Sequence, residues 1–192
     1  MMPKNTKKIL LYLLKNFELN NINQISKKLE ISVGSAFKIL KKLEEENIVF
    51  VVNLGNAKYY KLNLESRETI KFCELLLLEE KRNLKGYAKI YSDEIENFKN
   101  ADLIILFGSI LRKKEFNDID VLFITKEIKS VTQFCLDISK TKSKPVVPLI
   151  MKREDLINEL KIKKDSILDV MRSGVVLKGE SIFLEVIKNV KA

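Results

Sequence analysis

The 192-residue sequence predicts an α+β protein with two domains. Three stretches with the apolar spacing of helices open the chain, and two short β-prone runs follow them. A later region alternates short, strongly apolar runs with helices, which is typical of a small mixed sheet flanked by helices. We therefore assign a first domain to residues 1–64, a helical connector to 65–100 and a second domain to 101–192.

The composition excludes several kinds of site. The chain has no histidine, which removes Ser-His-Asp and Cys-His catalysis and most zinc sites. Its two cysteines, Cys73 and Cys135, are isolated in apolar contexts, so we expect free buried thiols in a cytoplasmic protein. The longest apolar run, Leu75–Leu78, is too short to span a membrane. Lys15 interrupts the apolar N-terminal stretch, which we interpret as an amphipathic helix and not a signal peptide.

The first domain begins with two predicted helices. Apolar residues recur at helical spacing over Lys7–Phe17, and Asn20-Asn21 ends this helix. We assign Asn23 as the N-cap of a second, shorter helix that ends at Leu29.

A third helix and a hairpin complete the first domain. The helix is predicted from Val33 to Asn47, with Ser32 as its N-cap. Its apolar residues, which we expect to face the core, are Ala36, Phe37, Leu40 and Leu43. Two β-prone runs, Ile48–Leu54 and Tyr59–Leu62, follow, and Gly55-Asn56-Ala57 between them predicts a hairpin turn.

Three helices followed by a β-hairpin resemble the winged helix-turn-helix domain of many prokaryotic regulators. The resemblance implies double-stranded DNA as a partner, with the third helix in the major groove. The residues that it places against DNA are Ser32, Ser35, Lys38, Lys41 and Lys42 on that helix and Lys58 in the wing. The alternative is that the domain serves only for dimerisation or for docking a protein.

The charge of the first domain favours the DNA interpretation. Eleven lysines and five glutamates give residues 1–64 a net charge of +6, out of +9 for the chain. Such a basic segment favours a polyanionic partner, although a generally lysine-rich composition would produce the same count. Because no arginine precedes Arg67, the commonest contact to guanine is missing, and we expect salt-sensitive binding dominated by phosphate contacts.

The connector is helix-forming throughout, and Gly86 predicts a break within it. Its apolar residues fall into two stripes, one formed by Ile70, Cys73, Leu76, Leu77 and Leu84, the other by Tyr87, Ile90, Tyr91, Ile95 and Phe98. Two interpretations of the leucines are open. They pair two chains in a homodimer, or they pack on the flanking domains.

The second domain contains the stretch with the most informative chemistry, Leu103–Ile124. It predicts a buried strand, a turn at Gly108-Ser109, a short helix, a loop and a second buried strand. Asp118 and Asp120 are two residues apart on this second strand, so their side chains share one face. Paired carboxylates repel each other unless a cation lies between them, and Mg²⁺ suits such a pair together with phosphate oxygens.

The order Gly-Ser, Arg, Asp-Ile-Asp between apolar strands resembles the DNA polymerase beta-type nucleotidyltransferase superfamily, and most closely its minimal prokaryotic members. The resemblance covers roughly Ala101 to Val190. It implies that Asp118 and Asp120 are catalytic ligands of Mg²⁺, and that Gly108, Ser109 and Arg112 bind the phosphates of ATP. Lys113 and Lys114 would add charge nearby or belong to the ordinary surface. The alternative is that the two aspartates are solvated loop acids.

One carboxylate that this resemblance implies is missing from the sequence. A third carboxylate normally lies on the strand beside the Asp-x-Asp strand, here predicted within Pro145–Met151, and this segment contains no Asp or Glu. Pro148 occupies about the expected position and predicts an edge strand or a bulge. Glu154 and Asp155 would reach the site only if the strand ended early.

The other elements predicted for the second domain are helices over Ser130–Ser139, Glu154–Lys161, Asp165–Arg172 and Ser181–Val190, and an extended piece over Val175–Leu177. Three functions remain open. The chain transfers AMP from ATP to an acceptor, it is a transcriptional regulator that senses nucleotide without turnover, or it acts like an antitoxin on a partner protein.

Overall fold

The computed structural model describes residues 2–113 and 115–191. The chain forms two compact units, Met1–Leu76 and Leu77–Ala192, and the division falls within the predicted connector. None of the helices in these described ranges has the length and apolar character needed to cross a membrane.

The first unit contains three helices and a small antiparallel sheet. Its elements are α1 (Lys4–Lys15), β1 (Asn20–Asn21), α2 (Ile22–Leu29), α3 (Val33–Glu45), β2 (Val49–Leu54) and β3 (Ala57–Leu62). The strand order is β1-β3-β2. The hairpin turn has two residues, Gly55 and Asn56, because Ala57 already pairs with Leu54. The two-residue strand β1 was not predicted, since nothing in the Asn-Asn pair favours a strand.

The N-cap of α2 is Asn21 and not Asn23 as the sequence predicted. The Asn21 side chain accepts a hydrogen bond of 3.0 Å from the backbone N–H of Gln24. In return, the Gln24 side chain accepts a bond of 2.9 Å from the backbone N–H of Asn21. This reciprocal pair is a capping box, and it satisfies two backbone donors that the helix leaves without partners. Asn23 lies two residues later, inside the helix, and is exposed.

The inward face of α3 differs from the prediction at one residue. Ala36 and Leu40 are fully buried and Leu43 is nearly so, but the side chain of Phe37 is 54% exposed. A residue adjacent to Ala36 is rotated by about 100° around the helix axis, so Phe37 projects from the edge of the buried face. The prediction that Phe37 belongs to the core is therefore wrong.

The predicted connector contains two helices that are separated near Gly86, as its sequence predicted. The helix α4 (Arg67–Arg82) is followed by α5 (Gly86–Ile95), and Gly86 has a φ of +56° where the chain turns between them. In α5 the residues Tyr87 and Ile90, which we predicted to be part of an apolar stripe, are 56% and 50% exposed. Tyr91 and Ile95 are buried as predicted.

The second unit is a four-stranded mixed sheet with helices. After α5 its elements are β4 (Leu103–Phe107), one turn of 3-10 helix (Ser109–Leu111), β5 (Ile119–Ile124), α6 (Ile128–Thr141), β6 (Val146–Met151), α7 (Arg153–Lys161), α8 (Asp165–Ser173), β7 (Val175–Lys178) and α9 (Glu180–Lys191). The strand order is β6-β5-β4-β7, in which β5 and β6 are parallel and the other pairs are antiparallel. These elements match the predicted small mixed sheet.

The strands β4 and β5 are buried on both faces, which explains their continuous apolar sequences. The strand β6 lies at an edge, as its proline predicted, because an edge strand does not need every backbone N–H for pairing. Cys73 and Cys135 are both buried, and neither forms a disulfide, as predicted. Burial raises the pKa of the Cys135 thiol to about 11, which keeps it protonated and unreactive at neutral pH.

Candidate functional site

The helix α3 is held with one face in the core and the other in solvent. Ser32 is its N-cap, and the hydroxyl oxygen accepts a hydrogen bond of 3.2 Å from the backbone N–H of Ser35. This confirms Ser32 as the cap. It also shows that the Ser32 hydroxyl is used within the helix, whereas Ser35 takes part only through its backbone N–H.

The outward face of α3 carries the three predicted lysines, and all three are exposed. Lys41 and Lys42 each form an ion pair with the glutamate one turn later, at 3.8 Å to Glu45 and 3.6 Å to Glu46. Both pairs are solvated, and such pairs contribute only about 0.3–0.5 kcal/mol. Phosphate oxygens can therefore replace the glutamates at little cost. Within residues 2–113 and 115–191, Lys38 has no side-chain partner.

The wing is the hairpin of β2 and β3. Lys58 lies on β3 beside Asn53 of β2, close to the turn, and its side chain is exposed. Gly55 has a φ of +59°, a conformation that the turn requires and that glycine adopts without strain. The hairpin therefore presents a cation near its tip, as the sequence predicted.

The aspartate pair lies at the start of β5. Ile119 is fully buried, and Asp118 and Asp120 on either side of it are partly exposed, which is the predicted alternation. Asp120 pairs in register with Phe107, the last residue of β4. The next residue, Gly108, therefore lies directly against the Asp120 side chain. A Cβ added to Gly108 would be 2.1 Å from Oδ2 of Asp120.

The environment of Asp120 disfavours its charge. Burial raises the pKa of this carboxyl, and the charge of Asp118 raises it further. A bound cation would reverse both effects. The carboxylate pair therefore fits Mg²⁺, which takes one or two protein carboxylates and completes its shell with water and phosphate oxygens.

The short helix that the sequence predicted after Gly108 is a single turn of 3-10 helix, Ser109–Leu111. Ser109 is partly exposed in this turn. The guanidinium of Arg112 is 2.8 Å from Oδ2 of Asp169 on α8, so a carboxylate of the protein already pairs with the charge predicted to meet phosphates. Lys113 is exposed. Lys114 lies outside the described residues.

The strand beside Asp120 carries no acid. In the parallel pairing of β5 and β6, Asp120 lies beside Val147, and Pro148 lies beside Val121 on the opposite face. The position expected for a third carboxylate is thus Val147 and not Pro148. The strand β6 continues to Met151, which places Glu154 beyond the far end of the sheet, in a cavity of about 700 Å³ with Ile124. Among the residues that the structure describes, no three potential metal ligands lie together.

The comparisons with known proteins concern the first unit. Residues 2–49 match a family model described as winged helix-turn-helix DNA-binding. The matched residues include α1, α2, α3 and the first residue of β2. No curated protein matches the chain, and neither does any solved structure. The N-terminal part of the chain is therefore a winged helix-turn-helix DNA-binding domain.

Proposed function

We propose that this chain is a DNA-binding regulator whose second unit binds a Mg²⁺–nucleotide complex. The DNA-binding part rests on one observation. The outward face of α3, in a domain that matches the winged helix-turn-helix family, exposes Lys38, Lys41 and Lys42. In this arrangement α3 enters the major groove, and Lys58 of the wing contacts the adjacent backbone.

The chemistry of these contacts favours phosphates. The first 64 residues carry a net charge of +6 and contain no arginine, so the bidentate contact of arginine to guanine is not available. Each lysine that neutralises a phosphate releases counterions from the DNA. The affinity for DNA should therefore fall steeply as the salt concentration rises. The slope of log affinity against log salt is proportional to the number of phosphate contacts.

Fluorescence anisotropy of a labelled duplex tests the DNA-binding proposal. We expect the full chain to bind at low salt and to lose affinity by orders of magnitude between about 50 and 200 mM salt. Unlabelled duplex should displace the probe, and heparin serves as a control for purely ionic binding. A chain that does not retain duplex DNA even at the lowest salt would overturn the proposal.

For the second unit, the observation that favours nucleotide binding is the contact between Gly108 and the Asp120 carboxylate. Because Gly108 has no side chain, a ligand can approach its backbone next to Asp120. Burial and the charge of Asp118 disfavour the ionised form of Asp120, which a cation would stabilise. Asp118 and Asp120 would hold Mg²⁺, and Gly108 and Ser109 would contact the phosphates of ATP. The ion would neutralise phosphate charge when bound.

Within this proposal we favour sensing over transfer of AMP. A transferase of this type needs a third carboxylate beside the pair, and β6 presents Val147 there. Transfer to an acceptor and an antitoxin-like action on a partner protein are the competing functions.

Calorimetric titration with ATP, with and without Mg²⁺, tests the nucleotide part, with pyrophosphate release followed in parallel. We expect binding that depends on Mg²⁺ and no pyrophosphate. Binding with pyrophosphate release would assign transferase activity and overturn the sensing proposal. Absence of binding in both titrations would remove the nucleotide site and leave the DNA-binding proposal intact.

A further inference from the structure

The recognition helix α3 exposes two large apolar side chains next to its lysines. The side chain of Val33 is 48% exposed and that of Phe37 is 54% exposed. They are four residues apart, so they lie one above the other on the same side of the helix. We call Val33 and Phe37 the apolar strip of α3.

Cations continue the apolar strip. Lys41 follows Phe37 by one helical turn, and Lys38 is its immediate neighbour, also exposed. Exposure of the apolar strip to water is unfavourable. The lysines beside it would in turn be unfavourable against a purely apolar surface of another protein. The combination fits a partner that offers apolar groups inside a polyanionic surface.

The major groove of DNA offers that combination. Thymine projects its C5-methyl group into the groove between the two phosphate backbones, and phenylalanine is among the side chains that contact it. The sequence of α3, VGSAFKILKKLEE, contains no Arg, Asn or Gln, so lysine, which reads guanine, is its only side chain of the kind that contacts a base through paired hydrogen bonds. Besides lysine and the two serines at its N-terminus, apolar contact is therefore the direct readout that remains for this helix.

The first turn of α3 leaves room for this approach. A Cβ on Gly34 would meet no atom within 4 Å, so the surface between Val33 and the lysines is open. A glycine there lets the helix backbone come close to the base edges.

We propose that Phe37, supported by Val33, reads thymine methyl groups in the major groove, and that the chain prefers A·T-rich duplexes for this reason. The proposal rests on the DNA binding proposed above. Burial of one methyl group corresponds to about 0.8 kcal/mol, or roughly a fourfold change in affinity.

Replacing thymine with deoxyuridine tests the proposal, since it removes only the methyl group. Anisotropy titrations would compare a poly(dA-dT) duplex with the matching poly(dA-dU) duplex at one salt concentration. We expect wild type to bind the deoxyuridine duplex about fourfold more weakly for each methyl group contacted. Phe37→Ala should bind the thymine duplex more weakly and bind the two duplexes alike.

Two control variants separate this effect from others. Lys41→Ala should weaken binding to both duplexes and keep their ratio, because its contacts are to phosphates. Ile162→Ala removes a side chain that is 73% exposed at the end of α7, and should change neither affinity. Because Phe37 is exposed, its replacement should leave the circular dichroism spectrum unchanged.

Each other outcome decides between the proposals. Equal binding of wild type to the two duplexes would overturn thymine recognition and leave DNA binding in place. No binding to either duplex would overturn the proposed function itself. A preference that persists in Phe37→Ala would overturn the role of Phe37. Loss of self-association in Phe37→Ala, with an unchanged ratio of affinities, would assign the apolar strip to a contact between two copies of the chain.

Discussion

Gly108 and Asp120 are so close that any side chain at residue 108 would overlap the carboxylate. A Cβ on Gly108 would lie 2.1 Å from Oδ2 and 3.0 Å from Cγ of Asp120. The backbone of Gly108 has a φ of +84° and a ψ of −154°, a region that is essentially restricted to glycine. Two independent constraints, one steric and one conformational, therefore fix glycine at this position.

Gly108→Ala should destabilise the second unit. The backbone conformation alone costs about 1–3 kcal/mol, and the overlap with Asp120 adds to it. We expect the midpoint of thermal unfolding to fall by several degrees, since 1 kcal/mol corresponds to about 4–8 °C in a domain of up to 100 residues and to less in larger ones. Differential scanning calorimetry would measure the shift.

A double-mutant cycle with Asp120→Ala separates the two constraints. Removal of the carboxylate relieves the overlap and leaves the conformational strain, so Gly108→Ala should cost less in the Asp120→Ala background. If Gly108→Ala costs the same in both backgrounds, the contact between residues 108 and 120 has no energetic consequence.

Asp120→Asn should raise stability at neutral pH and remove the response to Mg²⁺. The pKa of Asp120 is raised above its usual 3.8 in the folded protein, so the unfolded chain gives up this proton at lower pH than the folded chain. Stability is therefore lost as pH rises through the window between 3.8 and the raised pKa, and the full penalty is present above that window. Asn carries no charge and avoids the penalty.

The measurement is thermal unfolding of both proteins at several pH values, with and without Mg²⁺. The stability advantage of Asp120→Asn should shrink as pH falls toward 3.8. Wild type should gain stability with Mg²⁺ according to its affinity, and the variant should gain little. Asp102→Asn, at an exposed acid before β4, is the control and should keep the response to Mg²⁺. An equal response to Mg²⁺ in wild type and Asp120→Asn would contradict the metal assignment.

Lys38→Ala combined with Lys41→Ala should weaken DNA binding and flatten its dependence on salt. Each lost phosphate contact lowers the slope of log affinity against log salt by about 1. The control is Lys129→Ala, at an exposed lysine on α6 in the second unit. If the double variant keeps the wild-type slope, Lys38 and Lys41 do not contact the phosphates.

Asn21→Ala should destabilise the first unit by about 1 kcal/mol, because it removes the N-cap of α2. Asn23→Ala is a matched control two residues away, at an exposed position inside the helix, and should be nearly neutral or slightly stabilising. Urea unfolding followed by circular dichroism would compare them. A larger cost for Asn23→Ala would favour the sequence-based assignment over the structural one.

The capping error shows where sequence patterns lose resolution. Both Asn21 and Asn23 are good N-caps by residue type, and the choice between them depends on the pairing of β1, which contains Asn21, with the distant strand β3. In contrast, Ser32 was assigned correctly because it is the residue directly before the apolar periodicity of α3.

Phe37 illustrates a second limit. Its apolar character predicted burial, but only Ala36, Leu40 and Leu43 share the face that the fold covers. The helical period already places Phe37 at the edge of that face. Stricter use of the period would have identified it as an exposed apolar residue, and thus as a candidate for the interface.

The strands of the second unit were predictable for the opposite reason. Leu103–Phe107 and Ile119–Ile124 are continuous apolar runs, and continuous runs are typical of strands buried on both faces. The contact between Gly108 and Asp120 and the register of β6 were not predictable, since both depend on how distant segments pair. In the observed register Val147 lies beside Asp120 and shares its face of the sheet. A register shifted by one residue would place Pro148 beside Asp120 instead.

Val147→Asp should strengthen binding of Mg²⁺ by adding a third carboxylate to the pair. Neighbours in register on adjacent strands point to the same face and lie about 5 Å apart, so the new carboxylate would be close to Asp120. Val147 is 46% exposed on an edge strand, and the substitution should be tolerated. Without Mg²⁺ the extra charge should destabilise the fold slightly and raise the pKa of Asp120 further, because like charges disfavour each other.

Val147→Asn is the matched control, since it has the same shape and a similar strand propensity without the charge. Scanning calorimetry would measure how far Mg²⁺ raises the unfolding midpoint of each protein. This increase should be larger for Val147→Asp than for wild type, and Val147→Asn should show the same increase as wild type. If the Asp and Asn variants respond equally to Mg²⁺, residue 147 does not face the metal. Pyrophosphate release that appears only in Val147→Asp with ATP would identify the missing carboxylate as the reason for sensing without turnover.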